Sequence, residues 1–556
     1  MSDKPAESSR LERSISRREL LKKTGQVGAA AAITGSLAGP ATGALRRRSA
    51  ASPKKVPTGG TVNWAIEVDP GNIAPFGQTA IYPYLATEVM YESLLTWDPK
   101  LNIVPALATG YTVVSPTRID WDLRKGVKWQ DGSPFTSADV VYSFQQQLNP
   151  PLPGTSAVLG QVPGIAGVTA LGPNKVRMDL KAPDARVYGY IAWNRYSSIV
   201  PNNLYQNVNP QVTGIGTGPF KIQGQFTSNV GVSYVKNPNY WRPGLPYLDG
   251  INYKIITDEQ ARIAALEAGT LDGANISPSN ALAINGRPGL NVFHNLTAAF
   301  RELQMTIKQG DNKPWADVRV RQAVNLAINR QNIIDKIYSG YGKFTGHVAA
   351  GYGQWTLSDD ELHSTYEKMD LPTAKKLMQQ AGQSGGFSVN MTTFATPLEF
   401  TQIAALMQAD LAQIGITLNI VPQDPVTFAA NNSAGNFDWD LTQRGMRGDV
   451  DGFVAEFNPI GPTGPSVYAK WFTGWPSSPG GNPKPIWRGV GNGRITLDTK
   501  KRLPLYQSVN KDLMQQLVEI PLISVSTFQV VNSKLKNMYV TFTGFNSGLK
   551  TAYFES

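Results

Sequence analysis

A chain of 556 residues without a single cysteine has to be held together by packed cores alone. It has no thiolate to bridge loops, ligate zinc, hold an iron–sulfur cluster or act as a nucleophile, and no N-terminal Cys to carry a lipid. It is also longer than one hydrophobic core organises, so two or three packed units are expected. The three histidines, His294, His347 and His363, lack the close helical spacing of a zinc site, and each reads as a surface or core side chain. No metal and no cofactor is expected. Hydrophobic residues at 41% and charged residues at 17% give an ordinary globular balance, so the chain should fold. Its 53 Gly and 39 Pro follow no fixed period, which favours strands joined by turns over a repeat array.

The net charge of +11 would point to nucleic acid if it were spread over the fold. Ten Lys and Arg against four Asp and Glu fall between Met1 and Ala51, which leaves about +5 for everything after. No cluster of basic residues interleaved with aromatics follows, so nucleic acid is excluded as a partner. Residues 16–22 read S-R-R-E-L-L-K, with Arg17 and Arg18 ahead of Leu20, Leu21 and Lys22. The stretch after them, 24–44, is diluted by Gly25, Gly28, Gly35 and Gly39 and broken by Pro40, short of the ~20 apolar residues of a membrane span. This arrangement resembles a twin-arginine export signal. The resemblance implies the twin-arginine machinery as a partner, cleavage after Ala44 or Ala51, and a mature chain in the periplasm or at the extracytoplasmic face. Residues 1–51 are assigned to the signal and 52–58 to a linker.

Downstream, helical and strand periods alternate. Residues 60–68 read as a strand ended by Asp69-Pro70-Gly71, and 82–95 carry the apolar spacing of an amphipathic helix. Residues 119–123 and 175–180 read as strands, and 136–148 as a helix capped by Thr136 with Asp139 in its first turn. Two consecutive helices are expected over 317–337, with Arg319, Arg321 and Arg330 turned to solvent or to acidic partners. Helices at 373–381 and 398–414 are stopped by Gly382 and Gly415, and a strand follows at 416–421. The class is mixed α/β.

Residues 91–144 contain Y-E-S-L-L, P-A-L-A and L-R-K-G-V-K-W-Q-D-G-S-P-F-T-S-A-D-V-V-Y-S-F. Later come G-T-G-P-F from Gly216, N-P-N-Y-W from Asn237, A-A-L-E-A-G-T-L-D from Ala264, D-V-R-V-R-Q-A-V-N-L-A-I-N-R from Asp317 and L-A-Q-I-G-I from Leu411. These blocks, in this order over 59–556, resemble the extracellular solute-binding proteins of the dipeptide/oligopeptide/nickel family. The resemblance implies a two-lobed α/β periplasmic-binding-protein fold with an extra domain inserted in the first lobe and a two-strand hinge. The first lobe is placed at 59–84, 205–299 and 527–556, the inserted domain at 85–204, and the second lobe at 300–526, with the hinge at 300–306 and 521–526. It further implies a monomer that captures a small peptide or peptide-like solute between its lobes and hands it to an ABC permease.

Residues 437–451 read F-D-W-D-L-T-Q-R-G-M-R-G-D-V-D. By resemblance to peptide-binding members, Asp449 is placed to pair with a peptide's α-ammonium, a task suited to a carboxylate facing three donors. Three departures stand beside it: Met446 where an aromatic is usual, Gln443 where an Arg can sit, and Asp451-Gly452 in place of Asp-Pro. Met446 could pack on a ligand, Gln443 could hydrogen-bond a carbonyl or hydroxyl, and Arg447 could supply positive charge. Trp355 and Trp471, like Trp475 and Trp487, lie in Gly/Pro-rich segments and are candidates to line the cleft. Such aromatics would equally suit an oligosaccharide. A hydrolase built on Asp449 and Asp451 is the remaining alternative, but two loop residues so close in sequence have no assured straddling geometry, and no Ser-His or metal constellation accompanies them. No catalysis is expected.

Overall fold

The computed structural model describes residues 56–76, 81–99, 102–150, 158–161, 163–366, 368–459, 470–540 and 547–555. The twin-arginine segment, both cleavage sites and the start of the linker lie outside the described residues. No helix among the described residues is long and apolar enough to cross a membrane.

The strand Thr61–Ile66 opens the fold and is buried along most of its length because it is parallel to Gly250–Ile255 on one side and Gly273–Ile276 on the other. It belongs to an 11-stranded sheet that continues from one lobe into the next. From one edge the order is Ile416–Gln423, Phe387–Phe394, Trp439–Arg444, Leu290–Met305, Glu519–Asn532, Gly273–Ile276, Thr61–Ile66, Gly250–Ile255, Gly231–Lys236 and Phe220–Thr227, and the eleventh strand, Gly342–Lys343, pairs with Glu519–Asn532 off this path. Its two longest members, Leu290–Met305 and Glu519–Asn532, are antiparallel neighbours at its centre. The first pairs with Trp439–Arg444 through Phe300–Met305, and the second pairs with Gly273–Ile276 through residues 528–531. The chain therefore crosses between lobes along these two strands. Residues 300–305 of the expected hinge pair regularly with Trp439–Arg444, while against Glu519–Asn532 the register shifts between Leu296 and Phe300 and between Arg301 and Glu302. At the first, the Thr297 hydroxyl donates to the Val525 carbonyl at 3.1 Å, a side-chain bond in a stretch where the ladder lapses.

A separate four-stranded antiparallel sheet, ordered Ala108–Ser115, Arg118–Leu123, Lys175–Leu180 and Ile165–Gly172, has its own core around Trp121, Trp129, Phe144 and Met178. The helix Ser137–Leu148 packs Val140 and Phe144 into this core and starts with a capping box in which Thr136 and Asp139 satisfy each other's backbone donors. A second core gathers Trp64, Phe220, Tyr234 and Tyr253. A third and larger one runs from Ala298 to Val525 around Trp315, Phe400, Trp439 and Tyr506.

Two local expectations are corrected. The helix starting at Tyr82 ends at Thr87, because the Val89 and Met90 carbonyls accept from Phe220 and Gly218 at 3.2 and 2.9 Å instead of continuing the helix. Gly216 and Gly218 let that loop approach, since a Cβ on either would lie 2.0 or 2.6 Å from the Met90 carbonyl oxygen. Helices Val318–Ala327 and Arg330–Tyr338 form as expected, and Arg319 pairs with the acidic Asp317. Arg321 is buried and donates to the Trp315, Ala316 and Gln516 carbonyls, and Arg330 to those of Asn325 and Pro521. A guanidinium satisfies several chain-end carbonyls at once, which an acidic partner would not do.

Candidate ligand site between the lobes

The strand Trp439–Arg444 leads into the site, and Arg444 fixes its end. Its guanidinium is buried between Glu302, at 3.0 Å, and Glu519, on the two central strands. Burial and the neighbouring Glu302 push the Glu519 carboxyl up to about 8. The loop 445–450 is thereby held against the hinge strands, and helix Asp451–Val454 follows.

Facing it is residues 184–197, which carries the short helices Val187–Ile191 and Asn194–Ser197 beside the four-stranded sheet. The two segments touch closely. An ideal Cβ on Gly189 would lie 2.1 Å from the Gly448 carbonyl oxygen, and one on Gly448 would lie 3.1 Å from the Tyr190 ring. The Ala185 N–H donates to the Arg494 carbonyl at 2.6 Å, and Arg186 Nη1 donates to Asp451 Oδ2 at 3.1 Å. Met446 packs on Tyr84, Leu85 and Trp193 while also touching the large core around Trp439. Rings line the same region: Tyr190 and Tyr196 have centroids 5.1 Å apart, Trp193 and Tyr196 5.2 Å, and Tyr84 meets Trp193 edge-on at 6.0 Å.

Carboxylates and guanidiniums interleave here. Asp449 is gripped by both terminal nitrogens of Arg502, at 2.6 and 2.7 Å, and also accepts from the Asp451 N–H at 2.9 Å. Asp451 accepts from Arg494 at 3.0 Å, from Arg186 and from the Tyr506 hydroxyl at 2.8 Å. Burial alone would raise the Asp451 carboxyl, but Arg494 and Arg186 hold it below the ordinary carboxylate value. Asp184 binds Arg186 Nε at 2.8 Å. The Arg195 guanidinium lies 5.1 Å from the centroids of both Trp193 and Tyr196. Burial, and the Arg447 charge against the opposing Tyr196, lower its pKa.

The residues expected from sequence are distributed unequally. Met446 and Arg447 sit at the interlobe contact. Asp449 is there too, with both of its carboxylate oxygens accepting from Arg502. Trp355 lies behind that pair, with the Arg502 guanidinium 5.6 Å from its ring centroid and Tyr506 edge-on at 6.3 Å. Gln443 is exposed on its strand and accepts from Arg301 at 2.8 Å, which is itself held by Glu399 and Tyr338. Trp471 is buried at the other end of strand Trp439–Arg444, edge-on to Phe437 and Phe472, with its indole N–H on the Asn432 carbonyl at 3.2 Å. It pins a loop there and does not line the contact. The sequence reading did not single out Arg186, Arg195, Arg494, Arg502 or Tyr506. The run D-A-R-V-Y-G-Y-I-A-W-N-R-Y at 184–196, dense in aromatics and arginine, was the available signal.

Residues 102–463 match the family described as bacterial extracellular solute-binding proteins, family 5. A Brucella ovis protein named for ABC-transporter peptide binding is 28% identical over 385 residues, which is 66% of this chain and 69% of that one. The dipeptide-binding protein of Escherichia coli K12 is 26% identical over 477 residues, 79% of this chain and 84% of the relative. Among solved structures, the binding protein AgaA from A. tumefaciens R10, in complex with agropinic acid, is 25% identical with a TM-score of 0.71 and covers 89% of this chain and 99% of its own. The match extends over the larger part of the chain and agrees with its two-lobed fold: the chain belongs to the bacterial extracellular solute-binding proteins of family 5.

Proposed function

We propose that this protein captures a small peptide or peptide-like solute between its lobes and presents it to an ABC permease, without chemical turnover. The observation that carries this reading is the contact of 184–196 with 446–451, where backbone, ion pair and aromatic surface from both lobes converge as in a cleft closed on its contents. Relatives named for dipeptide and peptide binding support a peptide-like solute, and the neighbour bound to agropinic acid widens the class to acidic solutes. Asp449 and Asp451, the carboxylates a hydrolase would use, are both engaged by arginines, which favours a structural task for them. The signal at 1–51 supports delivery by the twin-arginine machinery to the extracytoplasmic side, where the protein acts as a monomer. Mass spectrometry of the solute that co-purifies with the mature protein tests the reading. A peptide-like molecule recovered intact is expected, with scattering that shows a more compact bound state; a neutral sugar, or a cleaved product, would overturn it.

A further inference from the structure

Resting on that reading, we infer that Arg186 is an interlobe latch, a positioning residue that holds carboxylates of two bodies at once, so that the solute-free protein visits the closed arrangement by itself.

Arg186 and Asp451 are fastened to different cores. Arg186 precedes the helix Val187–Ile191, whose Val187, Tyr190 and Ile191 belong to the core of the four-stranded sheet. Asp451 opens the helix Asp451–Val454, and its neighbours Val450, Phe453 and Val454 belong to the large core around Trp439. The bond from Arg186 Nη1 to Asp451 Oδ2, at 3.1 Å, therefore ties one core to the other. Both side chains are shut off from water, Arg186 at 2% exposure and Asp451 at 0%, where a charge-assisted hydrogen bond is stronger than at a surface. Next to it the Ala185 N–H donates to the Arg494 carbonyl at 2.6 Å, so backbone docks beside the ion pair.

The pair is a latch and not a weld because each half is neutralised within its own body. Arg186 Nε donates to the two oxygens of Asp184 at 2.8 and 3.0 Å, and the Arg186 N–H donates to Asp184 at 3.0 Å. Asp451 accepts from Arg494 Nε at 3.0 and 3.1 Å and from the Tyr506 hydroxyl at 2.8 Å. When the lobes part, one charged hydrogen bond is lost, and neither Arg186 nor Asp451 is left buried without a partner. Opening is thus reversible, and closing gains a bond that involves no solute atom. A closed minority of the solute-free protein follows, and a solute that touches both lobes enlarges that population. The task requires a guanidinium. Its planar fork reaches two carboxylates in different directions, whereas the point charge of a lysine would serve the nearer one, Asp184.

The absence of cysteine from the chain allows a direct test. Thr169, on the strand Ile165–Gly172, and Lys376, on the helix Leu371–Gln380, are both exposed, and cysteines placed there carry a pair of spin labels with no competing thiol. Pulsed electron-resonance distances are measured on the mature protein stripped of co-purified solute. The wild type is expected to show the shorter distance of the closed arrangement beside a longer, open one. Arg186→Lys and Asp451→Asn should each lower the ratio of closed to open by roughly tenfold, the effect of losing one charged hydrogen bond. Arg186→Lys keeps a cation for Asp184 and is expected to melt with the wild type, and Asp451→Asn acts from the opposite body, so a folding defect in one variant does not account for a shift in both. Absence of the shorter distance from the solute-free wild type, or a ratio that either variant leaves unchanged, overturns the inference. No solute enters the measurement, so that result leaves the capture reading standing, while recovery of a sugar or a cleaved product by mass spectrometry would remove that reading and leave the latch.

Discussion

Replacing Gly189 by alanine adds one methyl group at the point where the lobes touch. Gly189 lies in helix Val187–Ile191, where Ala is the better helix former by about 1 kcal/mol, so the body that carries it loses nothing. The obstruction is across the cleft: the new Cβ would sit 2.1 Å from the Gly448 carbonyl oxygen and 3.5 Å from Asp449 Cβ. Backbone does not yield as a flexible side chain would, so the lobes must stand apart by roughly 1 Å to restore van der Waals distance. Such a retreat takes the Ala185 to Arg494 bond from 2.6 Å and the Arg186 to Asp451 bond from 3.1 Å to the limit of hydrogen bonding or beyond. A neutral bond contributes about 1 kcal/mol and a charged one about 1.5–3 kcal/mol. Asp451 keeps Arg494 and Arg186 keeps Asp184, so the lower end applies, about 2–3 kcal/mol or roughly 30- to 150-fold in Kd. Calorimetry with the solute recovered from the wild type, paired with small-angle scattering, reads both quantities. Wild-type affinity together with full compaction would refute the claim that this contact belongs to the solute-bound closed state. A lowered melting temperature of the solute-free variant would refute the claim that the methyl group acts only across the cleft.

Three further outcomes are expected. Asp440 is buried with Asn432 donating to it at 3.0 Å, and burial pushes its carboxyl up to about 8 from the ordinary 3.8. Its contribution to stability is thus fully present below 3.8 and is lost as pH rises towards about 8, so Asp440→Asn should stabilise by about 1–3 kcal/mol near pH 7 and not near pH 3, by urea unfolding at both. Arg321→Met strands the carbonyls of Trp315, Ala316 and Gln516 and should cost about 3–4 kcal/mol, seen as a lower denaturant midpoint with an unchanged slope. Changing Arg17 and Arg18 together to Lys should leave the precursor in the cytoplasm on fractionation; normal export of that variant would remove the twin-arginine assignment.

Local features were legible because their causes are local. Thr136 and Asp139 stand three apart and form their capping box, and Gly382 and Gly415 take positive φ where a helix has to stop. Asn329 caps the second of the helices expected over 317–337. The motif string from Tyr91 to Phe144 carried the family and, through it, the two lobes. Burial of arginine was not legible, because sequence displays the charge of Arg321 and Arg330 and not the carbonyls that converge on them from Trp315, Gln516 and Pro521. The cross-lobe pair Arg186 and Asp451 joins residues 265 apart, a separation over which no periodicity carries information. Trp471 misled for a related reason. A Gly/Pro-rich surrounding marks a loop, but whether its aromatic faces the cleft or seals the loop to a core depends on the partner, here Phe437 and Phe472.

Asp449 shows what a matching position conveys and what it does not. The residue lies where 446–451 meets 184–196, and its carboxylate already holds a cation of the protein itself. Arg502, from helix Thr499–Gln516, meets it with two bonds and is backed by the Trp355 ring and the Tyr506 hydroxyl. Met446 in place of an aromatic and Gln443 in place of an arginine mark the same neighbourhood as altered. A site read from its carboxylates alone would be assigned to cations. With the arginines that answer those carboxylates included, the charge of this neighbourhood is a property of the whole cluster rather than of any one motif position.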